Sequence, residues 1–288
     1  MARPSLLLSL CLLATVPGSA IAEATPPADA RPYIEVSYVS APRAVADFEL
    51  ERSSYDPATK QAGAGFRYRS RMEPQATASV FVYPAGRTGQ AEAVETGMQA
   101  LHGELKQAVA AGIYAQLQEL GEEPFPLVAS AATGKGTNAI DTAVIQAMAK
   151  AEQIRGARLR LSMQHVSSNQ PVHSNAYLFY KQLYYFKLRI SADQASMSRE
   201  AFDALADRAA RSLIPAVQVA NVGACAASTI YVDPTGTPEQ SAVQMATQLA
   251  LLKGYNCHGT ASDAGVDPGA ADASVVEIRY DEGDWKSQ

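Results

Sequence analysis

The sequence has 288 residues, of which 47% are hydrophobic, and its formal net charge is −5 at pH 7. This length accommodates one large domain or two ordinary ones, and the hydrophobic fraction is sufficient for a buried core. The acidic balance and the absence of a basic cluster argue against a nucleic-acid-binding protein and against attachment to an anionic membrane surface.

The first residues have the layout of a secretory signal peptide. Arg3 precedes an apolar run over residues 6–16, and "AIA" at residues 20–22 has the small-x-small pattern of a cleavage site. The apolar run is shorter than the roughly 20 residues that a membrane-spanning helix needs. We therefore expect residues 1–22 to be removed and the mature protein to be periplasmic or secreted, with no stable insertion in a membrane. Residues 23–32, rich in Pro and Ala, are predicted to form a disordered leader.

The first half of the mature chain is predicted to be rich in β-strands. Alternating apolar residues, separated by turn residues, indicate strands at 33–39, 46–53, 65–71 and 76–83. The apolar spacing then changes to that of an amphipathic helix over residues 92–113, with His102 on its polar, solvated face. Residues 121–138 are predicted to form a loop, and a short helix is predicted at residues 143–151.

The densest aromatic cluster is "YLFYKQLYYF" at residues 177–186, which places six aromatic residues in ten positions. A strand is predicted just before it at residues 158–166. With a turn near residues 181–182, the alternation predicts an antiparallel hairpin with one buried apolar face. Packing accounts for most of the aromatic residues, whereas Tyr177 and Tyr185 are left as candidates for a ligand or partner surface.

The hairpin is followed by a helix that begins after the N-cap Ser198 and ends at Pro215. The sequence "YLFYKQLYYFKLRIS" and the helix "EAFDALADRAARSLIP" together resemble the closing part of the Mog1/PsbP-like α/β sandwich, over residues 158–214. The resemblance implies an α+β fold with an antiparallel sheet flanked by helices, and a non-catalytic role in binding or assembly. It transfers no functional residue.

The end of the chain is predicted to form a small β-α-β unit over residues 224–288, after an α+β domain over residues 33–220. Its strands are predicted at residues 229–232 and 274–280. The helix between them begins at Thr237, which makes a capping box with Gln240, and ends at Gly254.

Cys225 and Cys257 are the two cysteines that remain after removal of the signal peptide, and such a pair in an oxidising compartment predicts one disulfide. The predicted helix between them runs back about as far as the preceding extended segment advances, which brings the two positions close together. If the thiol of Cys257 were free, His258 beside it would suggest a Cys-His nucleophile.

Sequence motifs for catalysis or metal binding are not found. The chain contains no G-x-S-x-G, H-E-x-x-H or calcium loop, and "TGKGT" at residues 133–137 lacks the first glycine of a P-loop. No metal and no cofactor are therefore predicted. His165 falls on an apolar strand face, where a core histidine is expected more often than a catalytic one. His165 and His258, together with Tyr177 and Tyr185, are the candidate residues of a ligand or partner surface.

The leading hypothesis is a non-catalytic exported protein that binds a protein partner or a component of the cell envelope. The missing motifs favour it, and so does the implied sandwich fold. The alternatives are a periplasmic enzyme of hydrolase type and a small-molecule carrier with a pocket between the sheet and the helix over residues 92–113. Convergence of His165, Tyr185 or His258 with a carboxylate or hydroxyl in a concave pocket would favour the enzyme.

Overall fold

The computed structural model describes residues 31–128 and 134–285, so the predicted signal peptide lies outside the described residues, as does most of the predicted leader. The helices in these ranges are α1 (Gln90–Ala110), α2 (Ala139–Glu152), α3 (Arg199–Ala216) and α4 (Pro238–Gly254). The strands are β1 (Val36–Pro42), β2 (Ala44–Val45), β3 (Phe48–Tyr55), β4 (Ala64–Ser70), β5 (Thr77–Pro84), β6 (Tyr114–Pro126), β7 (Arg155–His165), β8 (Gln170–Lys181), β9 (Tyr184–Asp193), β10 (Gln218–Val222), β11 (Cys257–His258) and β12 (Ala273–Arg279). None of these helices is both long and apolar enough to cross a bilayer.

The strands form two sheets. Eight of them make an antiparallel sheet in the order β2-β3-β4-β5-β9-β8-β7-β6. The other four follow the order β11-β10-β1-β12, in which only the β10–β11 pair is parallel. Because helices pack against the larger sheet, the α+β class predicted from the sequence is confirmed.

Alternate residues of β8 contact different helices. Tyr177 and Phe179 belong to the core that α3 covers, whereas Ala176 and Leu178 belong to the core that α1 covers. Since successive side chains of a strand point to opposite faces, α1 and α3 lie on opposite faces of the sheet. The first arm of the aromatic hairpin is therefore buried on both faces.

The second arm, β9, has the single buried face that its sequence predicts. Phe186 and Leu188 are fully buried in the core under α3. Tyr185 and Lys187, on the other face, are half-buried. The hairpin thus lies inside the sheet, and the hydrophobic effect accounts for most of its aromatic residues.

The prediction of a loop over residues 121–138 is wrong in its first part, because Tyr114–Pro126 forms β6. β6 is an outer strand of the larger sheet, and most of its side chains are exposed. Polar residues therefore replace the apolar alternation by which a strand is recognised. Two irregularities in its register with β7 interrupt the remaining pattern.

The prediction of a strand at residues 229–232 is also wrong, because these residues have no regular secondary structure. The strand before α4 is β10, which begins directly after α3. Pro215 lies in the last turn of α3, and only Val217 separates the helix from the strand. No turn residue marks the change, so the sequence pattern does not reveal this strand.

β10, α4 and β11 make a parallel β-α-β unit, and the predicted disulfide within it is confirmed. Cys225 follows β10, Cys257 opens β11, and their Cα atoms lie 5.8 Å apart. This separation is in the usual range for a disulfide. β1 lies between β10 and β12, so the first strand and the C-terminal segment share one sheet. The predicted boundary between residues 220 and 224 lies at the end of β10, so strands from both sides of it belong to this one sheet.

Candidate ligand-binding cleft

A cleft of about 1170 Å³ opens beside the turn of the aromatic hairpin. Segments far apart in the sequence form its walls: residues 87–90 at the start of α1, 147–154 at the end of α2, 180–182 at the β8–β9 turn, Pro215 and Gln218 where α3 gives way to β10, and parts of 243–256 in and after α4. The cleft therefore lies where the end of the larger sheet meets the paired helices α2 and α4.

Both helices that frame the cleft have well-defined starts. Asn138 Oδ1 accepts a hydrogen bond of 2.9 Å from the backbone N–H three residues later, at the start of α2. Thr237 and Gln240 form the predicted capping box at the start of α4. The buried residues of α4 are Ala246 and Ala250, whose small side chains let neighbouring elements approach closely.

Positive charge predominates in the cleft. Among the described residues that line it are the cations Arg87, Lys150, Lys181 and Lys253, against the single carboxylate of Glu152. Lys253 Nζ lies 3.4 Å from Glu152 Oε1, so these two charges compensate each other. Of the other three basic side chains, Arg87 and Lys150 have no carboxylate partner among the described residues, and Lys181 is buried, in a protein whose net charge is −5.

Much of the remaining lining is apolar. The apolar part of the lining consists of aliphatic residues and two tyrosines: Ala147, Ala151, Ile154, Tyr180, Pro215, Val243, Ala250, Leu251 and Tyr255. An apolar lining with a few converging charged groups is the usual composition of a small-molecule site. The cleft therefore suits a ligand that carries both an anionic group and an apolar part.

Lys181 is the most buried of the four cations, with 8% of its surface exposed. Its Nζ donates a hydrogen bond of 2.6 Å to the carbonyl oxygen of Val217 and lies 4.3 Å from the centre of the Phe186 ring. Burial lowers the pKa of Lys181 to about 7, because the ammonium form loses its hydration. An anion bound nearby would favour the charged form, so Lys181 would take up a proton as such a ligand binds.

The sequence interpretation placed Lys181 in the hairpin turn and missed its burial. Tyr177 and Phe179 precede it at intervals of two residues, and residues so spaced share one face of a strand. Extension of β8 by one residue would have placed a lysine on the same buried face. A lysine at such a position predicts a specific partner group, because lysine is almost never fully buried without one.

The turn next to Lys181 is held in an unusual backbone conformation. Gln182 and Leu183 have φ angles of 53° and 69°, a region that residues other than Gly rarely occupy and that costs about 1 kcal/mol or more per residue. Gln182 Oε1 accepts a hydrogen bond of 2.7 Å from the backbone N–H of Val219. The carbonyl oxygen of Leu183 accepts one of 3.0 Å from the N–H of Ala85. These bonds fix the turn and thereby the position of Lys181.

Tyr177 lies in the core rather than on a surface. Its side chain is fully buried, and its hydroxyl donates a hydrogen bond of 2.6 Å to Asp207 Oδ1 of α3. The same carboxylate oxygen also accepts a hydrogen bond of 2.6 Å from Arg158 Nη1. Burial raises the pKa of the Tyr177 hydroxyl, which therefore stays protonated as a donor. A ligand or partner cannot reach this residue without opening the sheet, so Tyr177 is removed from the candidate surface.

Tyr185 is half-buried beneath α1. Its ring centre lies 5.2 Å from that of Tyr83, and α1 approaches it closely through Gly97. A Cβ added at Gly97 would lie 2.9 Å from the Tyr185 ring and 2.3 Å from Leu178. The absence of a side chain at Gly97 therefore allows the helix to pack on this face of the sheet, and Tyr185 contributes mainly to that packing.

The candidate histidines lie on different sheets. His165 is the last residue of β7 in the larger sheet, with its ring centre 5.2 Å from that of Tyr114. His258 lies in β11 of the smaller sheet, and its Nε2 is 3.0 Å from Asn256 Oδ1. Because Cys257 is disulfide-bonded, the hypothesis of a Cys257–His258 nucleophile is excluded. Within residues 31–128 and 134–285, no three His, Cys, Asp or Glu residues are grouped as metal ligands.

His102 connects α1 to the outer strand β6. Its Nδ1 lies 3.0 Å from Glu119 Oε1 and its Nε2 lies 2.8 Å from Glu122 Oε2. The hydrogen bonds to Glu122 and Glu119 raise the pKa of His102, because both ring nitrogens can donate only when the imidazole is charged. His102 is partly exposed on the polar face of α1, as the sequence predicts, but its two glutamate partners were not predicted. Its partners belong to β6, part of which the sequence pattern assigned to a loop.

The contribution of His102 to stability is expected to depend on pH. A raised folded-state pKa means that the contribution is fully present below the unfolded value of about 6.5 and is lost as the pH rises through the folded value. His102→Gln should lower the free energy of unfolding by about 1 kcal/mol or less near pH 5.5 and by less near pH 9. Urea denaturation at the two pH values measures this difference. Lys106→Gln, on the exposed side of α1, serves as control, and a His102→Gln effect that does not change with pH would contradict the ion-pair assignment.

Comparisons with known proteins provide little further information. No protein-family model matches the chain, and no curated protein matches it. Among solved structures, a mutant form of the protein Mog1 matches with a probability of 0.99, over 66% of this chain and 77% of that chain. The identity is 9% and the TM-score is 0.24, so the two are only weakly similar and the match assigns no binding residue.

Proposed function

We propose that this chain is an exported, non-catalytic binding protein, and that its ligand is an anionic component of the cell envelope with an apolar part. The observation that carries the proposal is the excess of basic side chains over carboxylates among the described residues of the cleft, with Arg87 and Lys150 unpaired and Lys181 able to take up a proton, in a protein whose net charge is −5. Such a local reversal of charge attracts an anion and opposes a cation of the same shape.

The size of the cleft favours a ligand with a chain or a ring system. Pockets for drug-sized ligands typically measure roughly 300–1,000 Å³, and this cleft is about 1170 Å³. The disulfide Cys225–Cys257 supports export, because such bonds persist in oxidising compartments. A cell-envelope ligand with an acidic head group and an apolar chain combines the two properties that the lining selects.

A charge reversal within the cleft tests this assignment. Lys150 lies on α2, is exposed and lines the cleft, so Lys150→Glu should alter the cleft without disturbing the core. We expect this change to weaken binding of octyl phosphate roughly tenfold or more, because it replaces an attraction by a repulsion close to the bound anion. Isothermal titration calorimetry of the purified mature protein measures the dissociation constant.

Lys106→Glu provides the matched control. It makes the same change in net charge on the exposed side of α1, and Lys106 does not line the cleft. Octyl phosphate should bind this variant within about twofold of the parent, since an exposed charge farther than about 10 Å from the ligand is largely screened at 0.1 M salt. Equal weakening in both variants would show that only the overall charge matters, and no weakening in either would place the ligand elsewhere.

A further inference from the structure

A second, smaller cavity lies between α1 and the larger sheet. Its volume is about 210 Å³, and among residues 31–128 and 134–285 no residue lines both this cavity and the cleft. Its walls are mainly apolar, with Leu101, Leu105 and Ala108 from α1 and Leu161 and Ala176 from the sheet. Such a lining favours an apolar group over water.

Two basic side chains of β9 line the same cavity, and their environments differ. Lys187 Nζ forms an ion pair of 2.7 Å with Glu104 Oε2, so its charge is compensated. Arg189 has no carboxylate partner among residues 31–128 and 134–285. Its guanidinium instead donates to the thioether sulfur of Met163 at 3.2 Å and lies 4.8 Å from the centre of the Tyr114 ring.

These contacts leave most of the N–H donors of Arg189 without a protein acceptor among residues 31–128 and 134–285. A guanidinium has five N–H donors in a planar fork that matches a carboxylate, whereas a thioether sulfur is only a weak acceptor. The Tyr114 ring holds the guanidinium in place by a cation–π contact without neutralising its charge. Arg189 is therefore a positioned, uncompensated cation at the wall of an apolar cavity.

We propose that this cavity is a second binding site, for a small monocarboxylate with an apolar tail or ring. The carboxylate would pair with Arg189, and the apolar part would lie among Leu101, Leu105 and Leu161. A cavity of about 150 Å³ accommodates benzene. The larger volume here therefore accommodates one six-membered ring with a short acidic arm, and it is too small for a long acyl chain. The proposal is independent of the ligand assigned to the cleft.

Phenylacetate is a suitable probe, and its neutral isostere phenylacetamide is the matched control ligand. Isothermal titration calorimetry of the mature protein should show phenylacetate binding at least about tenfold more tightly than phenylacetamide, because only the acid pairs with Arg189. Arg189→Gln should remove that preference. Arg52→Gln removes the same charge from an exposed position on β3 and should leave the affinity unchanged.

A cavity-filling change provides a second test that keeps Arg189 in place. Ala108→Leu adds three carbon atoms at the cavity wall and suits a helix, so the protein should fold, as circular dichroism can verify. It should weaken phenylacetate binding at least about tenfold. Unchanged binding to Ala108→Leu or to Arg189→Gln would overturn the proposal. Weaker binding of phenylacetate to Lys150→Glu would also overturn it, since phenylacetate would then bind in the cleft. Octyl phosphate, in contrast, should bind Arg189→Gln with the same affinity as the parent.

Discussion

Phe186→Ala is expected to lower the free energy of unfolding by about 3–5 kcal/mol. Phe186 is fully buried, and it lies on β9 between β5 and β8, in the interior of the larger sheet. The substitution removes an aromatic ring from a packed core and leaves a cavity that neighbouring strands, fixed by hydrogen bonds on both sides, cannot fill. It also removes the ring beside the ammonium group of Lys181.

Urea denaturation followed by fluorescence measures this effect. Trp285 is the single tryptophan of the chain, is 6% exposed and packs against Tyr184 and Tyr280, so its emission reports unfolding of the core. Tyr231→Ala is the control, because this aromatic side chain is 75% exposed and its removal should cost less than about 0.5 kcal/mol. Should Phe186→Ala unfold at the same urea concentration as the parent, the hairpin would not be part of the core.

Replacement of both cysteines, by Cys225→Ala with Cys257→Ala, is expected to lower the free energy of unfolding by about 3–4 kcal/mol. The bridge joins residues 32 positions apart and restricts the unfolded chain between them. It also fixes the end of β10 to β11, at the point where α4 returns to the smaller sheet. Changing both residues together avoids leaving a free thiol.

Treatment with a reductant distinguishes the effect of the disulfide bond on stability from the effect of replacing the two side chains. It should lower the stability of the parent towards that of the double variant and should leave the double variant unchanged. Mass spectrometry after alkylation provides a direct count of thiols, and the denatured, unreduced parent should take up no alkyl group at Cys225 or Cys257. Alkylation of both residues without reductant would contradict the disulfide assignment.

The sequence predicts the elements whose signals are local. The capping box of Thr237 and Gln240, the N-cap Ser198 and the period-two pattern of β9 each reflect interactions within one segment, and the structure contains all of them. The disulfide follows from the number of cysteines and from the length of the helix between them. Local chemistry is sufficient for the two helix starts, because there the partner groups are neighbours along the chain.

The sequence does not predict elements whose signals depend on tertiary position. β6 is polar because it is an outer strand, and β10 follows α3 without a turn residue. His102 could not be assigned its two glutamate partners until β6 was known. The resulting errors have one cause, which is that exposure and strand order are properties of the assembled sheet.

The sequence pattern does not reveal the cleft, for a related reason. Its segments are separated by up to about 170 positions of chain, and none of its cations lies in a recognisable motif. Only Lys181 gave a signal, through its spacing from the buried aromatic residues of β8. The small cavity beneath α1 lies between the larger sheet and the helix predicted over residues 92–113, where the carrier alternative places its pocket, and that alternative stays a prediction.

The proposed function requires that the cleft prefer an anionic ligand with an apolar part over a cationic ligand of the same shape. The most direct measurement compares the dissociation constants of octyl phosphate and octyltrimethylammonium for the unmodified mature protein, by isothermal titration calorimetry at one salt concentration. The two probes have the same apolar chain and head groups of opposite charge, so their ratio measures whether the cleft prefers an anionic or a cationic head group. We expect octyl phosphate to bind at least about tenfold more tightly. Equal affinity for the two probes, or tighter binding of octyltrimethylammonium, would contradict the proposed function.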